Sequence, residues 1–126
     1  MTKKEFIKIL KKKYYSYEIE GDKIVIGGDV VNLRSLTTIP SGVEFKNGGS
    51  VDLRKLTTIP SGVEFKNGGF VDLGSLTTIP SGVEFNNKGD VFLKNINTRD
   101  SIICKVSGVD PKRMMALIIN KIHEND

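Results

Sequence analysis

The sequence contains one cysteine, no tryptophan and no extended apolar run. Because Cys104 has no second cysteine to pair with, an intramolecular disulfide is excluded, and we expect a reducing, cytoplasmic location. A membrane-spanning helix needs roughly 18 consecutive apolar residues. No stretch approaches that length, so we expect no membrane association. The N-terminus has lysines but lacks the uninterrupted apolar segment of a signal peptide.

Residues that carry out catalysis or bind metals are also scarce. His123 is the only histidine, and no nucleophile, base and orienting residue recur as a spaced set. Asp52 and Asp72 occupy equivalent positions of a repeat, but no dense acidic loop accompanies them. We therefore expect no enzyme activity, no cofactor and no metal site.

The dominant feature is a repeat with a period of twenty residues. The sequence Leu-Thr-Thr-Ile-Pro-Ser-Gly-Val-Glu-Phe occurs unchanged at 36–45, 56–65 and 76–85. Each unit carries one apolar set, which only neighbouring units can cover, so the fixed period predicts stacked coils.

Each unit contains two segments in which alternate residues are apolar, as in a strand that is buried on one face. The Val-x-Leu segments lie at 31–33, 51–53, 71–73 and 91–93, and the Val-Glu-Phe segments at 43–45, 63–65 and 83–85. Pro and Gly mark one corner of the coil, and Asn-Gly-Gly marks the other. Asn-Gly is also a hairpin signal, so antiparallel pairing across that corner is the alternative to parallel stacking between coils.

The unit V-x-L-x-x-L-T-x-I-P-x-G-V-x-F-x-N-G-G resembles the short leucine-rich-repeat-like units of phage and mobile-element proteins, and the resemblance covers residues 24–98. It implies a binding protein, and by analogy an anti-CRISPR-like inhibitor of a defence complex in a bacterial host. Ordinary leucine-rich repeats stack an asparagine inside the coil. The spacing of Leu53, Leu56 and Ile59 lacks that asparagine, which favours a flatter, two-sided β-solenoid.

We therefore expect a mainly β fold, namely a short right-handed β-solenoid of leucine-rich-repeat-like coils with an α-helix capping each end. Residues 1–126 form one domain, with a helical cap over 1–23, the solenoid over 24–98 and a second cap over 99–126 that contains a helix at 111–123. The first helix begins at the N-cap Thr2 and has an apolar stripe of Phe6, Ile7, Leu10 and Tyr14.

Stacking in register would align outward residues in columns. Glu44, Glu64 and Glu84 would form a row of like charges, which Lys46 and Lys66 can offset. Asp52 and Asp72 would likewise be balanced by Arg34 and Arg54.

The repeat copies differ mainly on or beside the Val-x-Leu segment. If duplicated coils gain specificity through their exposed positions, this face is a protein-binding surface; drift at tolerant positions is the simpler explanation. The candidate binding residues are Asn32, Arg34, Ser50, Asp52, Arg54, Lys55, Phe70, Asp72 and Lys94.

Two other functions compete with protein binding. The net charge is +4, and six lysines with one acid lie in residues 3–13, so the first helix is a candidate for nucleic-acid contacts, although a solvated helix face is the simpler interpretation. Those lysines are Lys3, Lys4, Lys8, Lys11, Lys12 and Lys13. The other alternative is a module that self-associates through uncovered strand edges, and the oligomeric state stays open.

Overall fold

The computed structural model describes residues 1–93, which form one helix and two sheets of short strands. Helix α1 spans Lys3–Lys12. Sheet A contains β1 (Tyr17–Glu20), β2 (Lys23–Ile26), β4 (Val43–Phe45), β6 (Glu64–Phe65) and β8 (Glu84–Phe85) in that order. Sheet B contains β3 (Val31–Asn32), β5 (Val51–Asp52), β7 (Val71–Asp72) and β9 (Val91–Phe92).

From β2 onward the chain alternates between the two sheets and so winds as a β-solenoid. Strands of equivalent repeats pair in parallel and in register, with Val51 opposite Val71 and Phe65 opposite Phe85. Within residues 1–93 the only antiparallel pair is β1 with β2. Parallel stacking is thereby confirmed, and the hairpin alternative at the Asn-Gly-Gly corner is wrong.

The core lies between the two sheets and repeats from coil to coil. The rings of Phe45 and Phe65 stack with centroids 5.0 Å apart, and those of Phe65 and Phe85 with centroids 5.1 Å apart. All three rings are buried, as are the inward valines and leucines of the Val-x-Leu strands. Because the period brings identical side chains to the same depth, each coil covers the apolar face of the next.

The two corners of the coil are built differently. At the first corner Gly42, Gly62 and Gly82 have φ angles of 75°, 88° and 90°, a left-handed conformation that disfavours any side chain. At the second corner Asn47, Asn67 and Asn87 are buried and stack inside the coil. No asparagine was expected inside the coil, and this expectation is wrong: the buried asparagine comes from the Asn-Gly-Gly turn.

The buried asparagines hold that turn through their amide nitrogens. The Nδ2 of Asn67 donates to the carbonyl oxygens of Gly49, Gly69 and Phe70, each at 3.1 Å. The Nδ2 of Asn87 also donates to Gly69. Each asparagine thereby links the turn of its own coil to the turn of the coil before it.

The N-terminal cap covers the first edge of the stack. Thr2 is the N-cap, since its Oγ1 accepts from the Glu5 N–H at 3.1 Å, and Phe6 and Leu10 are fully buried in the core. The helix predicted at this end is therefore confirmed. The expected apolar stripe is wrong at one residue, because the chain leaves the helix before Tyr14, and its side chain is exposed.

Tyr15 satisfies the free edge of sheet B. Its hydroxyl accepts from the Asn32 N–H at 2.9 Å and donates to the Asn32 carbonyl at 3.2 Å. These two main-chain groups point away from β5, toward the open edge of the sheet. In the middle of the stack, the strand of an earlier coil would lie on that side. One hydroxyl thus replaces the hydrogen bonds of a missing strand.

Several expectations lie outside the described residues: Lys94, the end of the solenoid at residue 98, Cys104, the cap over 99–126 with its helix at 111–123, and His123. The right hand of the coil stays a prediction. Within residues 1–93 no helix is long and apolar enough to cross a bilayer.

Candidate functional site

The outward face of sheet B is a grid of aligned side chains, because the strands pair in register. We call it the B face. The column before each strand contains Val30, Ser50, Phe70 and Asp90; the middle column contains Asn32, Asp52, Asp72 and Phe92; the column after contains Arg34, Arg54 and Gly74. The structure therefore brings the predicted protein-binding residues that lie within residues 1–93 onto or beside one surface.

Two aromatic rings meet on this face. Phe70 and Phe92 pack edge to face, with centroids 5.4 Å apart and ring planes at 74°. Their side chains remain 42% and 36% exposed. Sequence reasoning included Phe70 but missed Phe92, although an aromatic ring in place of the Asn or Asp of the middle column was a detectable signal. Exposed aromatic side chains of this kind are enriched where proteins bind one another.

The middle column has a structural role that the sequence analysis did not foresee. The side-chain oxygens of Asn32, Asp52 and Asp72 each accept a hydrogen bond from the N–H two residues later, at 3.2, 3.2 and 3.0 Å. This Asx turn closes the strand in each coil. Asn and Asp serve equally as acceptors, so the variation in this column does not by itself indicate a binding site.

Within the described residues, Arg54 is the one cation of the B face that forms an ion pair. Its Nη2 lies 2.7 Å from Asp52 Oδ2, and its Nε lies 3.0 and 3.1 Å from the two carboxylate oxygens. The hydrogen bonds with Asp52 and the negative charges of Asp52 and Asp72 raise the pKa of the Arg54 guanidinium. The predicted balance of Asp52 by Arg54 is confirmed.

The other predicted residues of this face are less constrained. Arg34 and Lys55 are exposed, and neither forms an ion pair with residues 1–93. Ser50 is half-buried, and its carbonyl accepts from the Val31 N–H at 2.9 Å. These side chains lie beside the Phe70–Phe92 and Arg54–Asp52 pairs and do not converge on a single point.

The outward face of sheet A is different, because its charges neutralise one another. Lys66 lies 2.8 Å from Glu44 and 3.2 Å from Glu64. Lys46 approaches Glu44 at 3.5 Å, and Lys23 approaches Glu64 at 3.2 Å. The row of Glu44, Glu64 and Glu84 is thereby confirmed, as is the offset of Glu44 and Glu64 by Lys46 and Lys66.

Glu44 is the most buried member of this row, with 3% of its surface exposed. Burial acts to raise the pKa of its carboxyl, but hydrogen bonds with Lys66 and Glu64 and the charges of Lys66 and Lys46 outweigh burial and leave the pKa lowered. The same contacts with Glu44 and Glu64 raise the pKa of Lys66. This ladder is a structural element of the stack.

Of the six lysines predicted for nucleic-acid contacts, one has a structural contact. The Nζ of Lys3 donates to the Asp22 carbonyl in the β1–β2 turn. Lys4, Lys8, Lys11, Lys12 and Lys13 are exposed, and none forms an ion pair with the described part of the chain.

Within residues 1–93 no cluster of three or more His, Cys, Asp or Glu side chains could hold a metal ion. No family model matches the sequence, and comparison of the chain with curated proteins and with solved structures gave no match.

Proposed function

We propose that this chain is a non-enzymatic protein-binding module and that a protein partner docks on the B face. The observation that carries the proposal is the exposed edge-to-face pair of Phe70 and Phe92 on a repeat scaffold whose other aromatic rings are mostly buried. The earlier coils have Val30 and Ser50 in place of Phe70, and Asn32, Asp52 and Asp72 in place of Phe92, so the exposed aromatic rings of this face are confined to one pair of coils. A partner that covers the rings would explain them.

Burying the two rings against a partner contributes a modest binding free energy at one place on the B face. Full burial of a Phe side chain contributes about 1.5–3 kcal/mol, so removing the exposed 42% and 36% from water contributes roughly 1–2 kcal/mol in total. Arg54 adds a donor that Asp52 already holds in place, so little side-chain entropy is lost when it binds. Aromatic anchors and arginine are the residue types that dominate protein interfaces.

The sheet A face is a weaker candidate. Glu44 and Glu64 are already paired with lysines at 2.8–3.5 Å. A partner would have to replace these ion pairs, including those of the buried Glu44, before it gained any of its own.

The finer parts of the proposal rest on the sequence. The resemblance to phage repeat units supports a partner in a bacterial defence complex, with the chain as its inhibitor in the cytoplasm. Parallel crossover connections are right-handed in about 98% of cases, which supports a right-handed coil. A helix over 111–123 would then cap the far end of the stack.

The proposal is tested by exchanging each ring for the residue that another coil has at the same position. Phe70→Ser copies Ser50, and Phe92→Asn copies Asn32, so the scaffold already tolerates both side chains. We expect the double variant to lose the proteins that the wild-type chain captures from a host lysate, while the melting temperature stays within a few degrees.

The matched control is Lys46→Asn, which copies Asn86 on the sheet A face and should capture the partner like the wild type. Equal capture by the double variant would contradict the proposal. A solution mass that rises with concentration for the wild type but not for the double variant would show instead that the rings bind a second copy of this chain.

A further inference from the structure

Tyr14 occupies a backbone position that disfavours a side chain. Helix α1 ends in a Schellman motif, in which the Tyr14 N–H donates to the Lys11 carbonyl at 3.1 Å and the Tyr15 N–H to the Leu10 carbonyl at 2.9 Å. The motif needs a left-handed residue, usually Gly, and Tyr14 has φ 60°. It is the only non-glycine residue with positive φ in residues 1–93. Its backbone is therefore strained.

Packing does not explain why a tyrosine stands there. The Tyr14 side chain is 94% exposed. Tyr15 caps sheet B through its hydroxyl, and Tyr17 is half-buried against the core. The fold thus accounts for two of the three tyrosines, whereas Tyr14 strains the chain and packs against nothing that would offset the strain.

A stripe of lysines lies on one face of α1, the helix that precedes Tyr14. Lys4, Lys8, Lys11 and Lys12 follow the i, i+4, i+7, i+8 spacing that places side chains on one face of a helix. This face lies opposite the buried side of α1, where Phe6 and Leu10 enter the core. From Lys4 to Lys11 the stripe runs about 10 Å along the axis, at about 1.5 Å per residue. Lys11 and Lys12 lie in the last turn, three and two residues before Tyr14.

From these observations we propose that the N-terminal end of the solenoid binds single-stranded nucleic acid: the Tyr14 ring stacks on a base, and the lysine stripe contacts the phosphates. A polyanion complements unpaired lysines, and stacking on an exposed ring accepts any base. A duplex keeps its base faces stacked and out of reach of a ring at a helix end. A bilayer surface fits less well, because the apolar face of α1 is already buried.

This site is independent of the protein-binding proposal. It lies on α1, whereas the aromatic pair of the B face lies on the coils that contain β7 and β9. Either proposal can fail without the other, because the two experiments change different residues and use different ligands.

The test is a fluorescence anisotropy titration of the full chain with a labelled oligothymidylate of about 16 nucleotides, between about 50 and 200 mM salt. A duplex of the same length and sedimentation with anionic phospholipid vesicles run in parallel. We expect binding to the single strand that weakens with salt. Lys8→Gln with Lys11→Gln should make the slope of log K against log salt shallower by roughly 1.4, or about 0.7 for each lost phosphate contact.

Tyr14→Gly separates binding from folding, because its two effects have opposite signs. Affinity for the single strand should fall about 5- to 150-fold, the equivalent of about 1–3 kcal/mol for one stacked base. The melting temperature should rise by roughly 2–8 °C, since Gly relieves the left-handed strain. The salt slope should not change. Tyr14→Phe keeps the ring and should bind within about twofold of the wild type.

Four results would overturn this proposal. They are undiminished binding by Tyr14→Gly, a loss with Tyr14→Phe as large as that with Tyr14→Gly, equal affinity for the duplex, and binding to vesicles without binding to the oligonucleotide. A lower melting temperature for Tyr14→Gly would show that the ring supports the fold, and would remove the premise.

Discussion

We expect Asn67→Asp to lower the free energy of unfolding by roughly 3–5 kcal/mol at neutral pH, although the two side chains have nearly the same shape. Asn67 is buried, with 1% of its surface exposed, and its Nδ2 faces three carbonyl oxygens at 3.1 Å. In the aspartate an oxygen replaces this donor. A buried carboxylate would then face three carbonyl oxygens, which cannot donate to it.

Asn67→Ala should cost less, about 1–3 kcal/mol, because each of the three carbonyls keeps another donor. Gly49 still accepts from Asn47, Gly69 from Asn87, and Phe70 from the Val51 N–H. The aspartate should therefore be more harmful than the smaller alanine. That order follows from the direction in which the Asn67 amide points.

The cost of the aspartate should also depend on pH. Burial and the facing carbonyls raise the pKa of the new carboxyl above its unfolded value of about 3.9. A raised folded pKa means that the charge-dependent cost is absent below the unfolded pKa, grows as pH rises, and levels off above the folded pKa. The gap between wild type and variant should thus be smaller at about pH 4 than at pH 7.

Urea unfolding followed by circular dichroism at both pH values measures these gaps. Asn86→Asp is the matched control, because Asn86 is exposed and the same change there should stay within about 0.5 kcal/mol. An aspartate at position 67 that is no worse than alanine at pH 7, or whose cost is the same at both pH values, would refute this account of the second corner.

Three further predictions concern the stack. The pKa of Glu44 is lowered, so its ion pairs stabilise the fold above the ordinary pKa of 4.5 and are lost as pH falls through the folded value. The free energy of unfolding of Glu44→Gln, measured with urea, should therefore vary less with pH in that range than that of the wild type. Phe65→Ala should cost about 3–5 kcal/mol, whereas Phe70→Ala, at an exposed ring, should cost no more than about 1 kcal/mol, as chemical denaturation would show. Gly62→Ala should cost about 1–2 kcal/mol because Gly62 has φ 88°, while Gly74→Ala, without positive φ, should be nearly neutral in the same assay.

The repeat made most of the solenoid predictable. Identical units can make identical contacts only if they stack in register, so the period favoured parallel pairing over the hairpin alternative and predicted the row formed by Glu44, Glu64 and Glu84. The offset by Lys66 followed from its position two residues after Glu64 on the same side of the strand. These features depend on spacing, which is explicit in the sequence.

Features that depend on the direction of a side chain were missed. Asn67 was predicted only as part of the Asn-Gly-Gly corner, because Asn-Gly is common in turns, and nothing local distinguishes a turn that folds its asparagine inward. Tyr14 continues the helical spacing of Phe6 and Leu10, but the helix ends before it, and no glycine marks the end.

The candidate site was predicted only as a face. Val-x-Leu alternation placed Phe70 and Arg54 outward, and the structure agrees. The ion pair of Asp52 with Arg54 was predicted and is confirmed, but the Asx turn of Asp52 could not be read from one sequence, since either role leaves the same residue type. Phe92 was overlooked because its repeat departs from the pattern soon afterwards, with Ile96 in place of the repeated leucine and no Ile-Pro, so a changed residue looked like loss of the unit.

The central claim is that a protein partner docks on the B face, and crosslinking from single positions tests it most directly. A photoreactive phenylalanine analogue at position 70 should crosslink to the partner in the native host, whereas the same analogue at position 86, on the sheet A face, should not. Crosslinks from position 86 without crosslinks from position 70 would contradict the claim.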